Sequence, residues 1–316
     1  MKRRVVKHGS ATLTISLPIK WVKKYGIKPG DELDIEEEKG NLIISTSRDV
    51  SQVHTAVLDI ERLGIIGIRS LCALYRSGCD VIRVKYTNPK TLADIEEWVP
   101  QLPGFEIMQQ DEASCTLKEV SIPTRTDDVD DIIKRTFLVL MSVAKDVEEN
   151  VSKPNNYEAL RTLCKRDQTI NKFCNFCRRI LNKKGISRIK DAPMIYYMLE
   201  SLENLGDEYK YFCKWAADEK VDVNNPRVAS TVKETNRLVE SFYYLYFKFN
   251  DDNARKFQES ARAHLAKIEG MHKSKNSQEI VLHDYFARIT GQLIQMVGPL
   301  LAMRIPEKCM VPDSIA

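Results

Sequence analysis

The chain has 316 residues, is 43% hydrophobic, and sets 48 lysines and arginines against 44 aspartates and glutamates for a formal charge of +4. That length supports two or three domains with a substantial core, and no apolar run approaches the ~18 residues a membrane helix needs. The eight cysteines, Cys72, Cys79, Cys115, Cys164, Cys174, Cys177, Cys213 and Cys309, are scattered rather than arranged as a disulfide framework; with Met1-Lys2-Arg3-Arg4 running straight into a strand and no signal peptide ahead, a cytoplasmic protein without membrane insertion is expected.

Residues 5–46 read as strand, hairpin, strand, one short helix, a turn and two more strands. Thr12, Thr14 and Ser16 alternate with Leu13, Ile15 and Leu17, the period of a strand with one wet and one buried face. Pro18 ends that strand. A helix fits Ile19 to Tyr25, with Trp21 or Val22 and Tyr25 inward, Lys20, Lys23 and Lys24 outward, and Gly26 placed to stop it. Lys28-Pro29-Gly30-Asp31 supplies a turn; strand alternation resumes at Leu33 and Ile35, breaks at Lys39-Gly40-Asn41 and returns at Leu42, Ile43 and Ile44. Fewer than ~50 residues bury too little surface to be stable unaided, so this segment predicts a homodimer. From Lys2 to Lys28 there is no acidic residue, whereas Asp31 to Glu38 is dense in acids. A basic face of this kind attracts phosphates by counterion release.

The run Thr14-Ile15-Ser16-Leu17-Pro18, then Gly26-Ile27-Lys28-Pro29-Gly30-Asp31, then Glu32 to Ile44 resembles the swapped-hairpin DNA-binding domain of the AbrB/SpoVT family. The resemblance covers residues 1–48. It implies that two chains exchange hairpins to close one all-β barrel and that DNA lies along Lys2, Arg3, Arg4, Lys7, His8, Lys20, Lys23 and Lys24. The plainer alternative is a head that serves only for dimerisation or for pairing with a toxin.

Residues 50–122 suggest a small α/β connecting domain. His54 to Asp59 reads as a strand, Leu63 to Tyr75 as an apolar-faced helix, Val81 to Tyr86 as a strand, and Thr91 to Trp98 as a helix capped by Asn88 or Thr91. Phe105 to Gln109 and Cys115 to Val120 read as strands flanking a turn at Asp111 to Ser114. Leu63-Gly64-Ile65-Ile66-Gly67 lacks the third glycine of a nucleotide loop; its glycines are read as allowing close helix packing.

From Thr126 the period becomes helical. Ile133, Phe137, Leu140, Ala144 and Val147 recur at spacings of four and three, as do Leu282, Phe286, Ile289, Leu293, Met296 and Leu300. Breaks near residues 153–156, 183–185, 223–226, 250–252 and 273–275 delimit about six helices over 126–305, an all-α pair of three-helix bundles. Cys174 and Cys177 share the apolar face of one helix, without a second such pair or a nearby histidine, and read as buried free thiols rather than a zinc site.

Within the third of these helices, Leu202-Glu203-Asn204-Leu205-Gly206-Asp207 resembles the L-E-R-I-G-D signature of the PhoU family of phosphate-signalling proteins, and Lys165-Arg166-Asp167-Gln168-Thr169-Ile170-Asn171 resembles that family's other acidic motif. Glu203 and Asp207, four apart, project from one side of a helix. Asp167 falls in an apolar stripe among Leu160, Leu163, Ile170, Cys174 and Cys177, where an ionised carboxylate is costly unless paired. A metal ion shared by Asp167, Glu203 and Asp207 would satisfy it, and so would an arginine such as Arg178 or Arg161. The resemblance implies iron or zinc, and the oxygen ligands also suit magnesium; no motif requires a cofactor. In the second half, Ala287 and Gly291 stand where the acids would be. No open metal position with a positioned base is visible, so no enzyme is expected. Together the resemblances imply a DNA-binding transcriptional regulator of phosphate uptake or phosphate-responsive genes, its helical tail receiving a signal from a transporter subunit or sensor protein. The alternative is a signalling adaptor of a phosphate transporter that does not bind DNA.

Overall fold

The computed structural model describes residues 2–9, 12–38, 41–45, 53–120, 128–184, 191–221, 223, 225–271 and 276–309. They fall into two compact units, residues 1–53 and 54–316.

In the first unit, β1 (Val5–His8) pairs antiparallel with β2 (Thr12–Ile15), Val5 opposite Ile15 and His8 opposite Thr12. Pro18 cannot donate to a ladder, and the chain turns there into α1 (Ile19–Tyr25), whose first turn hangs from the Pro18 carbonyl through Trp21 N–H at 2.9 Å and Val22 N–H at 3.0 Å. Gly26, at φ 62°, ends the helix in the left-handed conformation that glycine adopts without penalty. The Lys28 N–H donates to the Asp31 carboxylate at 2.8 Å and closes the next turn. β3 (Asp34–Glu38) then pairs antiparallel with β4 (Asn41–Ser45). Within one chain the two ribbons stay separate two-stranded sheets.

The second unit opens with a four-stranded sheet, β5 (Thr55–Asp59), β6 (Val81–Lys85), β7 (Phe105–Gln110) and β8 (Ser114–Glu119), in the order β5-β6-β8-β7. β5 and β6 run parallel; β8 is antiparallel to both its neighbours. Leu58, Ile82, Val84, Phe105, Cys115 and Leu117 point to one face and bury against Leu71, Cys72 and Tyr75 of α2 (Gly67–Arg76) and Ile95 of α3 (Pro89–Trp98). Asn88 caps α3, its side chain accepting from Lys90 N–H at 3.0 Å. Glu61, in the loop after β5, also takes the Thr87 and Asn88 N–H groups at 2.9 and 2.7 Å, and these with the Thr87 hydroxyl draw its carboxyl down to about 2.

The helix expected from Leu63 starts at Gly67, after a short 3-10 turn over Gly64–Ile66. The two glycines differ in purpose. A Cβ on Gly67 would sit 2.5 Å from the Ile60 carbonyl oxygen, so close packing does require that glycine. Gly64 has open space around it; its φ of 52° is what a side chain would strain.

The helical body comprises α4 (Asp128–Val151), α5 (Tyr157–Leu163), α6 (Asp167–Lys184), α7 (Ala192–Asp218), α8 (Pro226–Phe247), α9 (Asp251–Met271) and α10 (Ser277–Cys309). The second expected helix is thus interrupted, by a 3-10 turn at Cys164–Arg166. The expected breaks at 185, 224 and 273–275 lie outside the described residues. α4 packs on α6 and α7, and α8, α9 and α10 pack on one another; α4 against α8 and α7 against α10 join the two sets. One hydrophobic core runs through both and holds every residue of the two helical stripes read from the sequence. Asn236 of α8 ties three helices at this junction, donating to the Ala144 carbonyl and accepting from Tyr209 hydroxyl, each at 2.7 Å.

The sheet and the helical body share α6. Arg179 is buried between them: it donates to the Tyr75 carbonyl at 2.8 Å, pairs with Glu119 at 3.1 Å, and stacks on Tyr75 and Phe105 at 5.0 and 4.9 Å. Lys183 bridges Asp80 and Glu119, and Asn182 donates to the Arg76 carbonyl at 2.8 Å.

Candidate DNA-binding face and the acidic helix motif

The first unit presents its cations where the sequence places them. Lys2, Arg3, Arg4, Lys7 and His8 are exposed along the amino-terminal arm and β1, and Lys20, Lys23 and Lys24 are exposed on α1. The last three stand at i, i+3 and i+4, one side of a helix, while Trp21, Val22 and Tyr25 are half-buried on the other. Trp21 and Tyr25 stack at 5.6 Å, and the Lys24 ammonium lies 5.3 Å from the Tyr25 ring centre. Lys23 and Lys24 also complement the carboxyl end of the helix dipole, a structural use of the same charges.

This unit has too little to bury by itself. Val5, Val6, Leu13, Ile15, Ile19, Ile35 and Leu42 are all exposed, and α1 has no fully buried residue. Single two-stranded ribbons are marginal in water. Among the described residues, apolar side chains of both ribbons are left exposed, a surface of the kind a second copy would cover.

The acidic motif divides into two arrangements. Asp167, at the start of α6, is buried; its Oδ2 accepts from the Lys210 ammonium at 2.7 Å and from Asn171 at 2.9 Å. Asp207 pairs with the same ammonium. Lys210 therefore occupies the position between two carboxylates that a shared cation would take. Burial raises the Asp167 carboxyl above its ordinary range against the pull of Lys210, while the two acids raise Lys210 despite its own partial burial. Gly206 makes this approach possible: a Cβ there would lie 2.9 Å from Ile170 Cδ1 and 3.2 Å from Asp167 Oδ1.

Glu203 points elsewhere. It pairs with Arg178, a fully buried guanidinium that also meets Glu200 at 3.2 Å and lies 5.8 Å from the Tyr196 ring. Of the two arginines considered as partners for Asp167, Arg178 is taken by these glutamates and Arg161 pairs with Asp218 at 2.7 Å. Sequence reasoning missed Lys210, although its place three residues after Asp207 puts it on the same helix face. Among the described residues no group of three or more histidine, cysteine, aspartate or glutamate side chains is arranged to hold a metal ion. Cys174 and Cys177 are buried free thiols, and burial pushes Cys177 up to about 12. In the second half, Ala287 and Gly291 flank Arg288, which pairs with Glu208 at 2.9 Å. Beside Asp207 a polar groove of about 390 Å³ opens between α7 and α10, lined by Asn204, Tyr211, Arg288 and Gln292 among others.

Residues 6–51 match the family model described as antidote-toxin recognition MazE, bacterial antitoxin. The match takes in both ribbons and α1 and leaves the sheet and the helical body outside it. No curated protein and no solved structure matches the chain. Among the described residues no helix is long and apolar enough to cross a membrane.

Proposed function

We propose that the chain is a dimeric DNA-binding transcriptional regulator, with a basic β head on DNA and a helical body that receives the signal. The observation that carries this is the acid-free stretch Lys2 to Lys28, all of whose cations within the described residues are exposed, in a segment similar to an antitoxin-type domain. Two heads together would cover the apolar faces of the ribbons and set two basic arms side by side. The cations then hold phosphates, contacts that position the head without reading sequence.

The signal we assign to the body is phosphate status. Support comes from the sequence resemblance of Leu202–Asp207 and Lys165–Asn171 to the PhoU motifs. The groove beside Asp207 is a place for a ligand or a transporter subunit to act on the Lys210 pair. Whatever binds must favour one head geometry over another, since equal affinity for both shifts nothing. We assign the chain no catalytic step.

A mobility shift with the DNA upstream of its own coding region tests the reading. Binding should exceed that to nonspecific competitor and fall steeply with salt, with a log–log slope that drops by about 0.9 for each phosphate contact removed through Arg3→Glu, Arg4→Glu or Lys7→Glu. Binding no tighter than competitor, unchanged by all three reversals, overturns it. A second reading follows from the description of the matched family: the head recognises a protein toxin. Co-purification of a small toxin-like partner, insensitive to the three reversals, would favour it.

A further inference from the structure

The two edges of the four-stranded sheet are built differently. β7 is protected: its ladder is broken by a bulge between Ile107 and Gln109, and Glu106 stands exposed on it, two devices that discourage a further strand from pairing. β5, Thr55-Ala56-Val57-Leu58-Asp59, keeps an unbroken ladder with β6, and its single charge is the exposed Asp59 at its last residue. It carries no proline, no lysine and no bulge, and Val57 is 61% exposed.

The hydrogen-bond parity of β5 says where its backbone groups point. The His54 carbonyl accepts from Val81 N–H at 3.1 Å and the Ile60 N–H donates to the Lys85 carbonyl at 3.2 Å. Backbone groups of alternate residues share a direction, so His54, Ala56, Leu58 and Ile60 face β6. Thr55, Val57 and Asp59 turn their N–H and C=O groups outward, and among the described residues nothing pairs with them.

We infer that β5 is a second dimer contact, pairing antiparallel with β5 of another copy about an axis through Val57 to give one eight-stranded sheet. That register is the one that engages all three outward residues. Val57 meets the other copy's Val57, and each Thr55 hydroxyl meets an Asp59 carboxylate, on the sheet face away from α2 and α3. An axis at Asp59 would set two carboxylates opposite each other, an unfavourable pair. Asp59 has Lys85 beside it on β6 as its other neighbour. The partner is a second copy because only residues 46–54 separate β4 of the dimerising head from β5, so head pairing brings two β5 edges to a high effective concentration. In the turn that follows β5, Ile65 is 98% exposed and Ile66 is also exposed.

The inference rests on the dimer reading of the head, and its test separates the two. Full-length Val57→Cys, treated with a short bismaleimide, should yield a covalent dimer well above the wild-type background, because the two positions face each other across the axis. Thr55→Cys alone should not, its copies lying roughly 14 Å apart, whereas Thr55→Cys/Asp59→Cys should. Amides of Thr55, Val57 and Asp59 should exchange at least tenfold more slowly than free amides. A chain that sediments as a dimer but gives neither cross-link nor protection overturns the inference and leaves head dimerisation standing. Protection without cross-link overturns it as well, since the chain's own residues then cover the edge, and so does a chain that sediments as a monomer. Cross-linking at Val57 in a protein that fails to bind DNA supports the sheet contact and sinks the regulator reading alone.

Discussion

Arg178 and Arg179 are consecutive residues of α6 whose guanidinium groups enter different cores. Arg178 lies between Glu200 and Glu203 of α7, and Arg179 lies against Tyr75, Phe105 and Glu119 of the sheet layer. Successive side chains on a helix point about 100° apart, so one helix can serve two interfaces at once. α6 is therefore the element through which the sheet and the helical body act as one unit.

Arg178→Ala removes a fully buried cation and leaves Glu203 without its partner. Breaking a buried pair in this way costs about 3–5 kcal/mol, and the urea midpoint should fall accordingly. Arg178→Lys should recover only part of the loss, since an ammonium cannot fork between two carboxylates as a guanidinium does.

Arg179→Ala should act on the other interface. Losing its charge-assisted bonds and its stacking on two rings costs about 2–4 kcal/mol. Hydrogen exchange locates the effect: amides of residues 54–120 should lose protection while those of α8 to α10 keep theirs. Uniform loss across the chain would refute separate roles for the two arginines.

The Asp80–Lys183 bridge carries a pH signature. Burial opposes ionisation of Asp80, but Lys183 and the His54 N–H outweigh it and lower the carboxyl; burial likewise opposes charge on Lys183, while Asp80 and Glu119 raise it. Asp80 thus adds stability above its unfolded value of about 3.9, lost as pH falls through its depressed folded value; Lys183 adds stability below about 10.4, lost as pH rises through its raised folded value. The stability difference between wild type and Lys183→Met should be flat between those limits and shrink outside them. Asp167, raised by burial, works in the opposite sense: its contribution is complete below about 3.9 and lost as pH rises through its folded value.

Two glycines of the helical body should respond oppositely to alanine. At Gly206 the new methyl meets Ile170 and Asp167, and overpacking of about 1–3 kcal/mol exceeds the ~1 kcal/mol gain in helix propensity. At Gly291 nothing lies within 4 Å of a Cβ, so Gly291→Ala should stabilise by up to about 1 kcal/mol. Thermal unfolding of the two variants compares them directly.

Much of the element order was legible because its causes are local. Pro18 and Gly26 bound α1, Asn88 caps α3, and Leu282 to Leu300 trace the buried face of α10. Where the reading slipped, the backbone departs from the regular helix. The helix expected at Leu63 starts at Gly67, after Gly64 at φ 52° and a 3-10 turn, and the second long helix is interrupted by a 3-10 turn at Cys164. For the candidate sites, the outward position of Lys20, Lys23 and Lys24 followed from helical spacing, whereas Lys2, Arg3, Arg4, Lys7 and His8 were named through the family resemblance. The acidic motif did not follow: its three carboxylates share a pattern but not a partner.

The sequence alone determined the periodicities, the acid-free head and the buried position of Asp167, since each depends on residues a few places apart. Only the tertiary structure decided that Lys210 rather than an arginine neutralises Asp167, that Glu203 belongs to Arg178, and that β5 is an edge strand of its sheet. Charge partners and strand edges are set by which elements lie side by side, and that comes from packing rather than from spacing along the chain.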